Sequence, residues 1–128
     1  MSFNGFHHIG LASANGEKSL DFYTNVLGGK EILRFPMGNS GKHIYMVDLG
    51  NNAVVEIIPN GNEETEANPR WIHIALRCDD AKAAYEAAIK GGAVSRSEPR
   101  EMDVGVMKMC IAFVYGPDKE VVEFFQVL

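Results

Sequence analysis

The 128-residue chain is 46% hydrophobic and 23% charged with a formal net charge of -5, the composition of one globular domain, expected to span residues 1–128 and to bury a core. That acidic balance works against a nucleic-acid groove or an anionic membrane surface, both of which need clustered Lys and Arg. With no leader-like start and no apolar run near the ~18 residues of a membrane span, the expectation is a cytoplasmic protein with no nucleic-acid and no membrane partner.

Phe6–Leu11 (FHHIGL) opens the chain as a strand. Side chains two apart share a face, so His8, Gly10 and Ala12 point one way, with room over the two small residues. Ile9 and Leu11 point the other way, where a helix can cover them. Glu17 to Leu27 predicts that helix: Leu20, Tyr23 and Leu27 recur at i, i+3, i+7, Phe22 and Val26 widen the stripe, and Gly28-Gly29 stops it. Phe22 and Tyr23 are accordingly expected in the core. Lys30–Phe35 and His43–Leu49 read as strands flanking the turn Pro36–Gly41, and Gly50-Asn51-Asn52 is a tight hairpin signal leading into Val54-Val55-Glu56-Ile57-Ile58.

Asn60–Arg70 (NGNEETEANPR) is polar and reads as a linker, its Glu63-Glu64-Thr65-Glu66 run as solvated surface. The pattern then restarts. Trp71–Leu76 is a second His-bearing strand, followed by an Ala-rich helix capped by Asp79 or Asp80, with Ala81, Ala84, Tyr85, Ala88 and Ile89 at helical spacing, and stopped by Gly91-Gly92. Ser95–Gly105 reads as a long polar loop, Val106–Val114 as a strand, Gly116–Lys119 as a turn, and Val121-Val122-Glu123-Phe124-Phe125 as the last strand. Ile44–Glu56 and Ile111–Glu123 align element for element without a gap, which makes the chain a duplication. The fold class is α+β: two tandem β-α-β-β-β modules, about 1–62 and about 70–128. Each has one helix for one face of a small sheet, leaving the other face for a partner sheet.

That second face carries the chemistry. Glu56 sits at the centre of a strand apolar on both sides, and a buried carboxylate costs several kcal/mol unless paired or bound to a cation. Glu123 repeats the pattern 67 residues later, and His8 and His73 precede them 65 residues apart. Taken singly, each has a plain reading: His8 a hydrogen-bonded strand histidine, Glu56 the partner of Arg34 or Arg77, Glu123 an exposed residue near the chain end. Taken together they read as His8, Glu56, His73 and Glu123 around one divalent metal ion, whose charge two carboxylates neutralise. A set without thiolate fits Zn, Ni, Co, Fe or Mn. His43 is a candidate fifth group, but its counterpart in the duplication is Cys110, and a structural or exposed role is expected for it. Cys78 and Cys110 form no C-x-x-C pair and are expected to be buried free thiols.

These residues, with Ser19-Leu20-Asp21-Phe22-Tyr23-Thr24-Asn25-Val26-Leu27-Gly28, His73-Ile74-Ala75-Leu76, Gly91-Gly92, Pro117-Asp118 and the two Val-Val-Glu strands, give a chain that resembles the vicinal oxygen chelate superfamily over almost its whole length. Within that superfamily it looks most like glyoxalase I. The resemblance implies the vicinal oxygen chelate fold, the same four ligands, and an enzyme isomerising the hemithioacetal of methylglyoxal and a thiol to a thioester through an enediolate. It implies Glu123 as the proton-transferring base with Glu56 its possible partner, Asn60 as a contact for the thiol half of a 2-oxoaldehyde–thiol adduct, and a homodimer. Asn25 stands where glyoxalase I usually has Arg or Lys, which leaves the thiol open. Another enediolate isomerase or epimerase of the same superfamily, or a non-catalytic metal- or ligand-binding module, is the alternative.

Overall fold

The computed structural model describes residues 2–62, 64, 70–117 and 121–128. They fall into two compact units, His8–Ile72 in one and His73–Leu128 with the N-terminal residues up to His7 in the other. Most of the expected 60–70 linker, Glu63, Thr65 and Glu66 of its acidic run, and the 118–119 part of the last turn lie outside the described residues. Glu64 is exposed and ion-paired to Arg70 at 2.7 Å.

In the His8–Ile72 unit, β1 (Phe6–Ala12) runs parallel to β4 (Val54–Ile58), which is antiparallel to β3 (His43–Asp48), itself antiparallel to β2 (Lys30–Pro36). The hairpin between β3 and β4 turns through positive φ at Gly50, Asn51 and Asn52, residues that tolerate it. Leu11, Tyr45, Val47, Val55 and Ile57 form a buried cluster on one face, closed by Leu20 and Tyr23. Each such side chain contributes about 1.5–3 kcal/mol on burial.

The covering helix is wound in two ways. Helix α1 (Gly16–Asp21) starts at Asn15, whose side chain accepts from the Lys18 amide at 3.1 Å, and continues as a π-helical turn over Phe22–Val26. The expected single helix over Glu17–Leu27 is therefore corrected. The wider π winding changes which side chains face the sheet: Leu20 and Tyr23 reach the core, whereas Phe22, Val26 and Leu27 are 46%, 66% and 53% exposed. Phe22 is not a core residue.

In the other unit, β5 (Arg70–Arg77) is parallel to β8 (Val121–Val127), then β7 (Lys108–Tyr115) and β6 (Val94–Asp103) follow antiparallel. Helix α2 (Ala81–Lys90) is capped by Asp80, whose side chain accepts from the Ala83 amide at 2.9 Å, while Gln126 Oε1 accepts from the Ala81 amide at 3.0 Å. It buries Ala81 and Ala84 against Cys78, Ala112, Val114 and Phe124. Ile89, expected on that stripe, sits at its rim, 36% exposed. The N-terminal residues join this unit: Asn4 donates to the Arg77 carbonyl, Arg77 to that of Gly5, and Phe3 stacks on Phe124 at 5.8 Å.

The expected loop over Ser95–Gly105 is instead strand β6, and the following strand begins at Lys108 rather than Val106. The reason lies in the edge position of β6. Register shifts between Ser95 and Ser97 and between Ser97 and Arg100 break the two-residue alternation, and an edge strand tolerates both these bulges and Pro99. Its polar sequence is that of a blunted edge.

Candidate metal centre

In the first-described unit, parallel pairing sets Gly10 opposite Glu56, with Met46 on the far side of the carboxylate strand. His8, two residues before Gly10, shares its face. Its Nε2 lies 3.7 Å from Glu56 Oε1. The second unit repeats this register with Ala75 opposite Glu123 and Phe113 beyond, and there His73 Nε2 lies 3.3 Å from Glu123 Oε2. In both, the residue facing the carboxylate is small, which leaves space beside it for the imidazole from two positions back.

The pairs are secluded. Side-chain exposure is 0% for His8, 12% for Glu56, 8% for His73 and 5% for Glu123. Glu123 is thus buried, contrary to its plain reading as an exposed chain-end residue. Arg34 is no partner for Glu56, because its guanidinium grips Glu31 through two bonds of 2.7 Å. Bonds of about 2.0–2.2 Å from a zinc-like ion to nitrogen and oxygen set neighbouring ligand atoms roughly 3.0–3.4 Å apart. The observed 3.3 and 3.7 Å are close to that spacing, and the latter is longer than a hydrogen bond. Imidazole with carboxylate is a donor set for a borderline divalent ion, so each pair fits half of a metal site.

Other candidates separate from this set. His43 is exposed and shares the phase of Tyr45 and Val47, on the helix-covered face away from Glu56. Asn60 is exposed just past the end of β4, and the Asn25 amide is occupied with Asp21 at 2.6 Å. Cys78 is buried and Cys110 half-buried, both as free thiols. Burial pushes both thiols up from their ordinary value, which lowers their thiolate fraction near neutral pH.

Three contacts on β7 and β8 near the His73–Glu123 pair carried no signal in the sequence. The His7 ring packs on Phe125 with centroids 4.1 Å apart, although strand alternation had pointed it away from the chemistry. Phe113 meets His73 edge-on at 6.2 Å. Arg96, between the register-shifted Ser95 and Ser97, lays its guanidinium over Phe113 at 5.1 Å. Among the described residues no helix is long and apolar enough to cross a membrane.

Comparison with known proteins agrees with this architecture. The sequence pattern of the Glyoxalase/Bleomycin resistance protein/Dioxygenase superfamily matches residues 5–124. The chain is 36% identical over 123 residues to a lactoylglutathione lyase of Neisseria meningitidis serogroup A, covering 93% of this chain and 88% of that protein. It is 32% identical over 124 residues to a lactoylglutathione lyase of Escherichia coli O157:H7, covering 93% and 90%. A methylmalonyl-CoA epimerase from Mycobacterium tuberculosis superposes with a TM-score of 0.76 at 18% identity, covering 97% of this chain and 88% of that one. That likeness establishes the shared α+β fold.

Proposed function

Because the chain belongs to the Glyoxalase/Bleomycin resistance protein/Dioxygenase superfamily, we propose that it is a metal-dependent lyase of the glyoxalase I type, converting the hemithioacetal of methylglyoxal and a thiol to a thioester. The observation that carries this reading is the twice-repeated register in which a small residue faces a strand carboxylate and a histidine two positions back approaches it. The names of the relatives at 36% and 32% identity support the same chemistry.

In this proposal His8, Glu56, His73 and Glu123 hold one divalent ion, Ni or Zn before Co, Fe or Mn. When bound there, such an ion would supply Lewis-acid polarisation of substrate oxygen, acidifying the neighbouring C–H. Glu123 takes that proton and returns it to the adjacent carbon. Ala75, Ile111 and Phe125 are buried together in one apolar cluster with Met109 on its side of the sheet. Glu56 holds the ion from the other strand set, and Asn60 contacts the thiol half. The enzyme acts in the cytoplasm as a homodimer, each site assembled from the two His–Glu pairs of one chain or from pairs exchanged between two.

The test is thioester formation from methylglyoxal with a panel of thiols, including glutathione, by protein loaded separately with Ni and Zn. Turnover with one thiol is expected. Metal binding without thioester from any of them defeats the lyase reading, and α-proton exchange on a CoA thioester then separates an epimerase from a non-catalytic binding module. Sedimentation of the loaded protein as a monomer at micromolar concentration would overturn the dimer.

A further inference from the structure

The π-helical turn exposes Phe22, and the same winding lines a cleft that the metal chemistry does not use. The cleft holds about 680 Å³ within the His8–Ile72 unit, between α1, the end of β1 and Trp71. That volume lies in the range of small-molecule pockets, about 300–1,000 Å³. Leu11, which belongs to the helix-covered core, lines it together with Ala12 and Ser13 at the end of β1, and neither His8 nor Glu56 is among its walls. Its walls include two aromatic side chains left largely in solvent, Trp71 at 55% and Phe22 at 46% exposure. Tyr23, edge-on to Phe22 at 5.2 Å, continues the aromatic wall.

The polar groups of the cleft are few and of definite character. Ser13 and Ser19 also line it, their hydroxyls 2.6 Å apart, and Ser13 is only 5% exposed. Among the described residues of the wall, Lys18 is the one charged side chain, and it is exposed. Aromatic faces offer stacking to a flat ring, and an ammonium offers a point charge to an anion. We propose that this cleft is a ligand site for a planar aromatic ring bearing a phosphate or carboxylate, the ring lying against Trp71 and Phe22 and the anion meeting Lys18.

Trp71 is the single tryptophan of the chain, so its emission reports occupancy directly. Adenosine 5′-monophosphate and 3-phenylpropionate represent the phosphorylated heterocycle and the aryl carboxylate, while adenosine lacks the anion and ribose 5-phosphate lacks the ring. Titrated into the full chain, at least one of the two aromatic anions is expected to give a saturable change in Trp71 emission, and the one that does identifies the source. Adenosine and ribose 5-phosphate should bind at least about tenfold more weakly, the scale of one charged contact. Lys18→Gln, at an exposed position that leaves folding intact, should weaken the aromatic anion by a similar factor, and Phe22→Ala should weaken adenosine as well. No saturable change with either aromatic anion overturns the site. So does equal binding of the two control compounds, or an affinity unchanged by Lys18→Gln.

Discussion

The two units place a His–Glu pair in the same register and then surround it differently. In one, Glu56 has Gly10 and Met46 as its strand neighbours and keeps 12% of its side chain exposed. In the other, Glu123 stands between Ala75 and Phe113 with 5% exposed, beside the buried cluster of Ala75, Met109, Ile111 and Phe125. A duplicated strand register is enough to reproduce the donor pair. It does not reproduce the setting, and the setting is what can turn one of two like carboxylates into a base and leave the other a ligand.

The largest effect tests whether the pairs act together on one ion. His8→Ala and His73→Ala should each lower metal affinity by more than the roughly 100-fold that loss of a mere supporting partner costs, measured by competition with a chromophoric chelator. If each variant retains half of the bound metal at unchanged affinity, the pairs are two separate sites. Next in size is the difference between the carboxylates. Glu123→Gln should hold much of the metal and lose at least ~10²-fold in turnover, the low end for removal of a general base, while Glu56→Gln should lose less at equal metal content. The reverse order would move the base to the first strand set.

Each His–Glu pair was legible in the sequence because period-two alternation is local and the 65- and 67-residue offsets nearly agree. The same holds for the Asp80 cap and the hairpin at Gly50. What was not legible depends on residues being inserted into a regular pattern. The π turn shifts the side chains of a helix whose spacing looked uniform, and the β6 register shifts hide a strand inside a polar run. The contacts of Arg96 and His7 follow from tertiary packing, for which the sequence carries no periodic mark.

The paired glycines illustrate the point and offer a test of intermediate size. Gly28-Gly29 and Gly91-Gly92 look equivalent, but positive φ falls on Gly28 in one and on Gly92 in the other. Both helices close with a nested pair of bonds, but of different span: Gly29 and Gly28 donate to the Tyr23 and Thr24 carbonyls, six and four residues back, whereas Ala93 and Gly92 donate to those of Ala88 and Ile89, five and three back. A Cβ fits at Ala93, yet one at Gly29 would come within 2.6 Å of the Tyr23 carbonyl and 2.7 Å of Val47 Cγ1. Gly29→Ala should therefore cost about 1–3 kcal/mol in denaturant unfolding, and Gly91→Ala, whose Cβ comes no closer than 3.4 Å to its neighbours, should stay within about 0.5 kcal/mol. Equal costs would mean that the two helix ends are packed alike.

A smaller effect is expected where each half lays an arginine over an aromatic ring, Arg34 on Tyr45 at 5.0 Å and Arg96 on Phe113 at 5.1 Å. Glu31 holds Arg34, and no carboxylate among the described residues does the same for Arg96. Under the proposed lyase reading, Arg96, which reaches His73 through the Phe113 ring, is a candidate to meet an anionic substrate tail. Arg96→Ala should raise KM about 3- to 10-fold for a carboxylate-bearing thiol adduct with kcat unchanged, the pattern of lost uniform binding, and should leave a neutral thiol adduct unaffected. An equal rise for both adducts would assign the loss to packing on Phe113.

The smallest effect concerns the other arginine and is read by pH. The Arg34 guanidinium, bonded to both oxygens of Glu31, holds that carboxyl below its ordinary value. A carboxyl depressed in the folded state adds stability above its unfolded value, and the gain is lost as pH falls through the folded value. Both side chains are substantially exposed, so solvent screening keeps the gain small. In metal-free protein, where the His–Glu pairs contribute equally to both variants, Arg34→Ala should lower Tm by about 1–2 °C at neutral pH. The gap should close as pH falls below the usual carboxylate range. Arg96→Ala, lacking a carboxylate partner, should show a gap that does not change over that range. If the Arg34→Ala gap persists undiminished in acid, stacking on Tyr45 rather than the ion pair with Glu31 is what Arg34 contributes, and the two arginines act on their rings alike.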